Sequence, residues 1–173
     1  MTTSTRIRLA AATSLFAVGV LAATPAAAQV ATGKSTGAGT AMGALKVGTT
    51  TVALAHAYVA GPVSGVYIVE LTDRPIPEAS LAAELRRGGG QGLLRSGKVQ
   101  GLLLYVSPEG FVQTAIPFAG DVRGEKMLAS VGSLARFTVS GGQMSGVGSL
   151  SAEKTNQDWS YDARFTATIR PVQ

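Results

Sequence analysis

Residues 158–170 alternate without interruption between polar and apolar side chains. Trp159, Tyr161, Ala163, Phe165, Ala167 and Ile169 fall on one side; Asp158, Ser160, Asp162, Arg164, Thr166, Thr168 and Arg170 fall on the other. Successive side chains of an extended chain point to opposite faces, so this pattern predicts a long strand with one face buried and the other wet. A one-residue slip would expose every aromatic, so its pairing register is strongly specified. The fold must therefore supply an apolar layer along the whole strand.

Shorter segments repeat the theme. Ala44–Val47 and Thr51–Ala60 flank Gly48-Thr49 and predict a hairpin. Unbroken alternation in the second of these places Val52, Leu54, His56 and Tyr58 on one face, and Gly61-Pro62 predicts a turn after it. Val66–Thr72 is apolar on both faces for much of its length, as a central strand is. Pro75 and Pro77 end it, because proline cannot donate to a ladder. Glu78–Arg87 predicts the one helix. Leu81 and Leu85 stand one turn apart, and Glu78 and Arg86-Arg87 have the signs that the helix dipole favours at each end. Gly88-Gly89-Gly90 stops it, and residues 91–97 read as helix remnant or short strand.

Val99–Val106 and Phe111–Phe118 flank Ser107-Pro108-Glu109-Gly110, a type I turn pattern. Residues 121–133 read as irregular, with one helical turn near Met127. Leu134–Ser140 and Gln143–Leu150 flank Gly141-Gly142, a two-residue hairpin signal. Pairing outward from that turn sets Val139 against Met144, Phe137 against Gly146 and Ala135 against Gly148, so that Phe137 covers bare backbone. The fold class expected is mainly β: an antiparallel β-sandwich or a partly closed β-barrel of about eight strands, with one α-helix at about residues 78–87.

The N-terminus predicts export. Arg6 and Arg8 precede an apolar run, Leu9–Ala23, and then Thr24-Pro25 and Ala26-Ala27-Ala28. Basic start, apolar middle and small residues at the end are the order of a secretory signal peptide. The run is short of the roughly 20 apolar residues a membrane-spanning helix needs. Residues 1–28 are thus read as a signal peptide, 29–43 as a flexible, Gly-rich arm and 44–173 as a single β-rich domain, with no transmembrane segment after cleavage and a periplasmic or secreted, soluble location. Among 173 residues there is no Cys. Disulfides are permitted outside the cytosol, so this domain is expected to hold by packing and strand pairing alone, and thiolate chemistry is excluded.

Loss of the signal removes Arg6 and Arg8 and leaves 13 basic against 10 acidic residues. The basic residues are scattered, whereas a nucleic-acid binder concentrates them on a patch or stripe, so no nucleic-acid partner is expected. The carboxylates sit mostly at turns and strand ends, and no metal or cofactor is expected.

The candidate ligand-binding residues are His56, Tyr58, Arg74, Trp159, Tyr161 and Phe165. His56, the single histidine, reads first as a buried, hydrogen-bonded core residue. Its alternative role is the base of a Ser-His-Asp set, which needs a hydroxyl and an acid within reach. Arg74, between Asp73 and Pro75, either presents a charge to an anionic partner or marks a strand exit. The row Trp159, Tyr161, Phe165 either fills a core or lines a cavity in a closed barrel. The expected function is an exported, non-catalytic binding or structural module, its partner a protein or a small ligand. The alternatives are a carrier of small apolar ligands and a hydrolase using His56. The runs G-A-L-K-V-G at 43–48, V-A-L-A-H-A-Y at 52–58, V-E-L-T-D-R-P-I-P at 69–77 and Y-D-A-R-F-T-A-T-I at 161–169 together resemble a pattern in uncharacterised exported bacterial β-rich proteins. That resemblance implies one exported β domain and transfers no site.

Overall fold

The computed structural model describes residues 39–85 and 91–172. Ten strands form one sheet: β1 (Gly39–Val47), β2 (Thr50–Val63), β3 (Val66–Thr72), β4 (Gly101–Val106), β5 (Phe111–Ala119), β6 (Val122–Arg123), β7 (Leu128–Ser133), β8 (Ala135–Ser140), β9 (Gln143–Leu150) and β10 (Trp159–Arg170). Three short helices are present among the described residues: α1 (Glu78–Leu85), α2 (Gln91–Arg95) and α3 (Ala152–Thr155). The strand order is β6-β5-β4-β3-β2-β1-β10-β9-β8, with β7 also pairing β5. All pairings are antiparallel save a short one, in which the end of β10 lies parallel along β2, Ile169 opposite Val59.

The sheet folds over itself. β5 touches β1 and β2 across the core although β3 and β4 lie between them in sheet order. It is not closed into a barrel, and a sandwich-like fold describes it. The chain nevertheless crosses from one edge to the other in a single residue: β7 ends at Ser133, β8 begins at Ala135, and Leu134 joins them. Leu134 is buried, and its amide donates to the Gly110 carbonyl at 2.8 Å.

The inner face holds the main core. The apolar row of β10 enters it as the alternation requires, with Trp159 stacked on Tyr161 at a centroid distance of 6.3 Å. Leu45, Leu54, Val69, Leu71, Leu102 and Leu104 pack around that row. A second, smaller core lies on the outer face of β3, β4 and β5. There α1 and α2 cover Ile68, Leu103, Ile116 and Phe118 with Leu81 and Leu94. Being buried on both faces is why β3 reads as a near-continuous apolar run.

Five local expectations are corrected. First, β1 begins at Gly39, so the last residues of the segment read as an arm, 39–43, are strand, with Thr40–Gly43 paired to β10. Residues 29–38 lie outside those described, as do the signal segment and 86–90, where the helix stop falls. Second, β2 does not alternate throughout. Thr40 pairs His56 but Gly43 pairs Leu54, an irregularity between β1 and β2. Val52, Leu54, Ala57 and Val59 therefore enter the main core, while Tyr58 joins the smaller one. His56 and Tyr58 thus leave the face of Val52 and Leu54. Third, β2 continues past Gly61-Pro62 to Val63, and the turn is Ser64-Gly65.

Fourth, residues 121–133 contain β6 and β7 rather than a helical turn. Fifth, the β8–β9 hairpin holds Val139 against Met144 as expected, but a bulge then shifts the register and Ala135 pairs Val147. Phe137 lies over Gly110 of the β4–β5 turn, not over Gly146, and Leu134 covers Gly146 and Gly148 instead.

Candidate functional site: the outer face of β1 and β8 to β10

Side chains that share a face of the sheet are fixed by the registers. Six strands align one polar row: Thr72 of β3, His56 of β2, Thr40 of β1, Thr166 of β10, Ser145 of β9 and Thr138 of β8, each opposite the next. Helix α1 and its lead-in belong to the β3–β5 side of this surface, and Thr72 is fully buried there. Thr40, Thr166 and Thr138 are exposed and Ser145 half-buried. Thr138 and Ser145 join hydroxyls at 2.7 Å.

The neighbouring row on β1, β10 and β9 is Met42, Arg164 and Val147. An Arg164 guanidinium nitrogen lies on the Met42 sulfur, and Met42 is 55% exposed. Arg136 of β8 reaches the same area because of the bulge, in which Arg136 and Phe137 stand between the pairs Ala135–Val147 and Thr138–Ser145. An extra residue in one strand re-aims its side chains. Phe137 packs toward the main core, while Arg136 lies along the outer groove in a left-handed conformation, φ 51°. The groove has a volume of about 390 Å³, and Thr40, Met42, Arg136, Ser145, Arg164 and Thr166 are among its walls. Among the described residues neither guanidinium is in an ion pair. Asp162, two residues along β10, lines an adjoining groove with Arg164.

The residues proposed from sequence divide into two groups that do not meet. Trp159, Tyr161 and Phe165 are 1%, 4% and 4% exposed in the main core, where burial pushes the Tyr161 hydroxyl up to about 12. His56, Tyr58 and Arg74 lie on the other side of the sheet, beside the strand exit after β3. There Tyr58 accepts a hydrogen bond from the Ile76 amide at 2.7 Å. Asp73 and Gln100 bridge β3 to β4 reciprocally: each amide donates to an oxygen of the other residue at 2.9 Å. Arg74 is ion-paired with Asp73 at 3.0 Å. At the end of β10, Arg170 meets Glu78 at 2.5 Å and holds its carboxyl below the usual range.

His56 is half-buried, not sealed in the core. Burial lowers its pKa, and the Asp73 carboxylate partly restores it. No hydroxyl is hydrogen-bonded to His56 among the described residues, so the hydroxyl–imidazole contact of a nucleophilic set is not formed. A Ser-x-x-Lys spacing, Ser151 and Lys154, spans α3, where both are exposed and unconnected. A Gly-x-Ser-x-Gly spacing at 33–37 lies outside the described residues. Among the described residues no three metal-ligating side chains cluster, and no helix is long and apolar enough to cross a membrane. No family model matches the chain, and no curated protein or solved structure matches it either.

Proposed function

We propose that this chain is an exported binding domain that acts without catalysis, residues 1–28 directing it to the periplasm or the medium. Its ligand sits on the outer face of β1, β10, β9 and β8. The observation that carries this reading is the unequal covering of the sheet. Helices and a second core close the outer face of β3–β5, whereas among the described residues Thr40, Met42, Arg164 and Thr166 on the outer face of β1 and β10 are exposed and border a groove. The aromatic row that would line a carrier's cavity is instead packed against leucines.

The test is a thermal-shift screen of the folded domain against sugars, amino acids, organic acids and phosphate esters. A ligand that raises Tm of the wild type, and fails to do so in a Thr166→Trp variant of unchanged Tm, supports the reading. No ligand, or one whose effect survives Thr166→Trp and disappears in His56→Ala, contradicts it. Hydrolysis of any compound in the screen that is lost in His56→Ala contradicts it as well.

A further inference from the structure

Arg136 occupies a left-handed backbone conformation, φ 51°, that glycine adopts freely and other residues adopt only under strain. This chain has 22 glycines and uses them at most of its left-handed positions, yet arginine stands here. The bulge alone accounts for the inward turn of Phe137 and does not require a guanidinium beside it. What Arg136 adds is a second positive charge in a groove that already holds Arg164. Like charges brought together without a carboxylate between them repel, and an anion bound there relieves the repulsion. Guanidinium groups also match carboxylate and phosphate oxygens two bonds at a time.

Resting on the open-face reading above, we propose that this groove is an oxyanion site. It takes the carboxylate or phosphate group of a small hydroxylated ligand between Arg136 and Arg164. The hydroxyls of Thr40, Thr166 and Ser145 form the adjoining wall and contact the rest of the ligand. At about 390 Å³ the groove is in the usual range for small-ligand sites, roughly 300–1,000 Å³. Asp162 sits to one side and disfavours a second anionic group in that direction. The site therefore selects ligands with one oxyanion at one end and neutral hydroxyls at the other.

Calorimetric titration of the folded domain with inorganic phosphate, glucuronate, glucose 6-phosphate and neutral glucose tests this. Binding of the sugar acid and the sugar phosphate more tightly than inorganic phosphate, with no binding of glucose, is expected. Inorganic phosphate binding as tightly as the sugar phosphate overturns the role of the hydroxyl wall and leaves a site for the free ion. Arg136→Gly is expected to leave Tm unchanged or raise it while weakening affinity at least tenfold. Arg164→Lys keeps the charge, loses the planar fork and is expected to weaken affinity similarly. Full affinity in Arg164→Lys, or in Arg136→Gly, overturns the site, because a ligand held by both guanidinium forks cannot lose either without losing affinity. A neutral ligand that binds at Thr166 while no oxyanion binds leaves the open-face reading standing and overturns this one.

Discussion

The hydroxyl of Tyr58 accepts a hydrogen bond from the backbone amide of Ile76 at 2.7 Å. It ties the middle of β2 to the segment between two prolines that launches α1. Both residues are buried, Tyr58 at 4% and Ile76 at 3% exposure, so that amide has no water to turn to. Tyr58→Phe keeps the ring and removes the acceptor. Leaving a buried donor unsatisfied costs about 1–3 kcal/mol, and equilibrium denaturation should show a loss of that size. A loss near zero would mean that the Pro75–Pro77 segment is held by packing alone.

Leu134 and Gly148 are coupled by the edge-to-edge crossing. A methyl group added at Gly148 would lie 2.8 Å from a Leu134 methyl and 3.2 Å from the Tyr161 ring. Gly148→Ala should therefore destabilise by about 1–3 kcal/mol through overpacking. Leu134→Ala should cost about 2–5 kcal/mol as a buried truncation. The double variant should be more stable than the sum of the two predicts, because the cavity left by one accepts the methyl of the other. Strict additivity in a denaturation cycle would place Leu134 elsewhere.

Tyr161 makes stability fall at alkaline pH. Its hydroxyl ionises near 10 in the unfolded chain and is pushed up to about 12 by burial in the folded one. A group with a raised folded pKa contributes its full stability below the unfolded value and loses it as pH rises through the folded value. At about 1.4 kcal/mol per pKa unit, this amounts to ~2–3 kcal/mol lost between pH 10 and 12. Tyr161→Phe should flatten that part of the stability profile, and ultraviolet titration should show one tyrosine fewer ionising at the high end. A wild-type profile flat to pH 12 would show that the hydroxyl reaches water.

Much of the frame was legible because its signals are local. The alternation of β10, the Gly141-Gly142 turn and the doubly apolar β3 each declare themselves within a few residues, and all three stand as read. The face assignments that fail share one cause. Bulges in the β1–β2 and β8–β9 pairs change which side a residue faces, and nothing in the local sequence marks them. Unbroken alternation therefore puts His56 and Tyr58 with Val52 and Leu54, and Phe137 on Gly146 instead of Gly110. β7 is not legible in the sequence because Leu128–Ser133 is mostly small and polar. Its strand character comes from pairing with β5, not from its own pattern.

The open groove was hidden for the same reason. Arg164 was visible on the wet face of β10, but Arg136 is brought beside it by a bulge between strands that are neighbours only in the folded sheet. The row Thr40, Thr166, Ser145 and Thr138 spans residues far apart in the chain and exists only through register. Trp159, Tyr161 and Phe165 attract attention as aromatics in any sequence reading. In the fold they are part of the main core.

Amide chemical-shift mapping decides whether the groove of β1, β8, β9 and β10 takes an oxyanion ligand while the helix-covered face stays structural. Glucose 6-phosphate is titrated into the isotope-labelled, folded domain. The signals of Thr40, Ser145, Val147, Arg164 and Thr166 are expected to move together with one affinity, as are the side-chain Nε–H signals of Arg136 and Arg164, while α1, α2 and β4 stay still. Shifts confined to Arg74, His56 and the helices, or no shifts at saturating ligand, would contradict oxyanion binding in the groove.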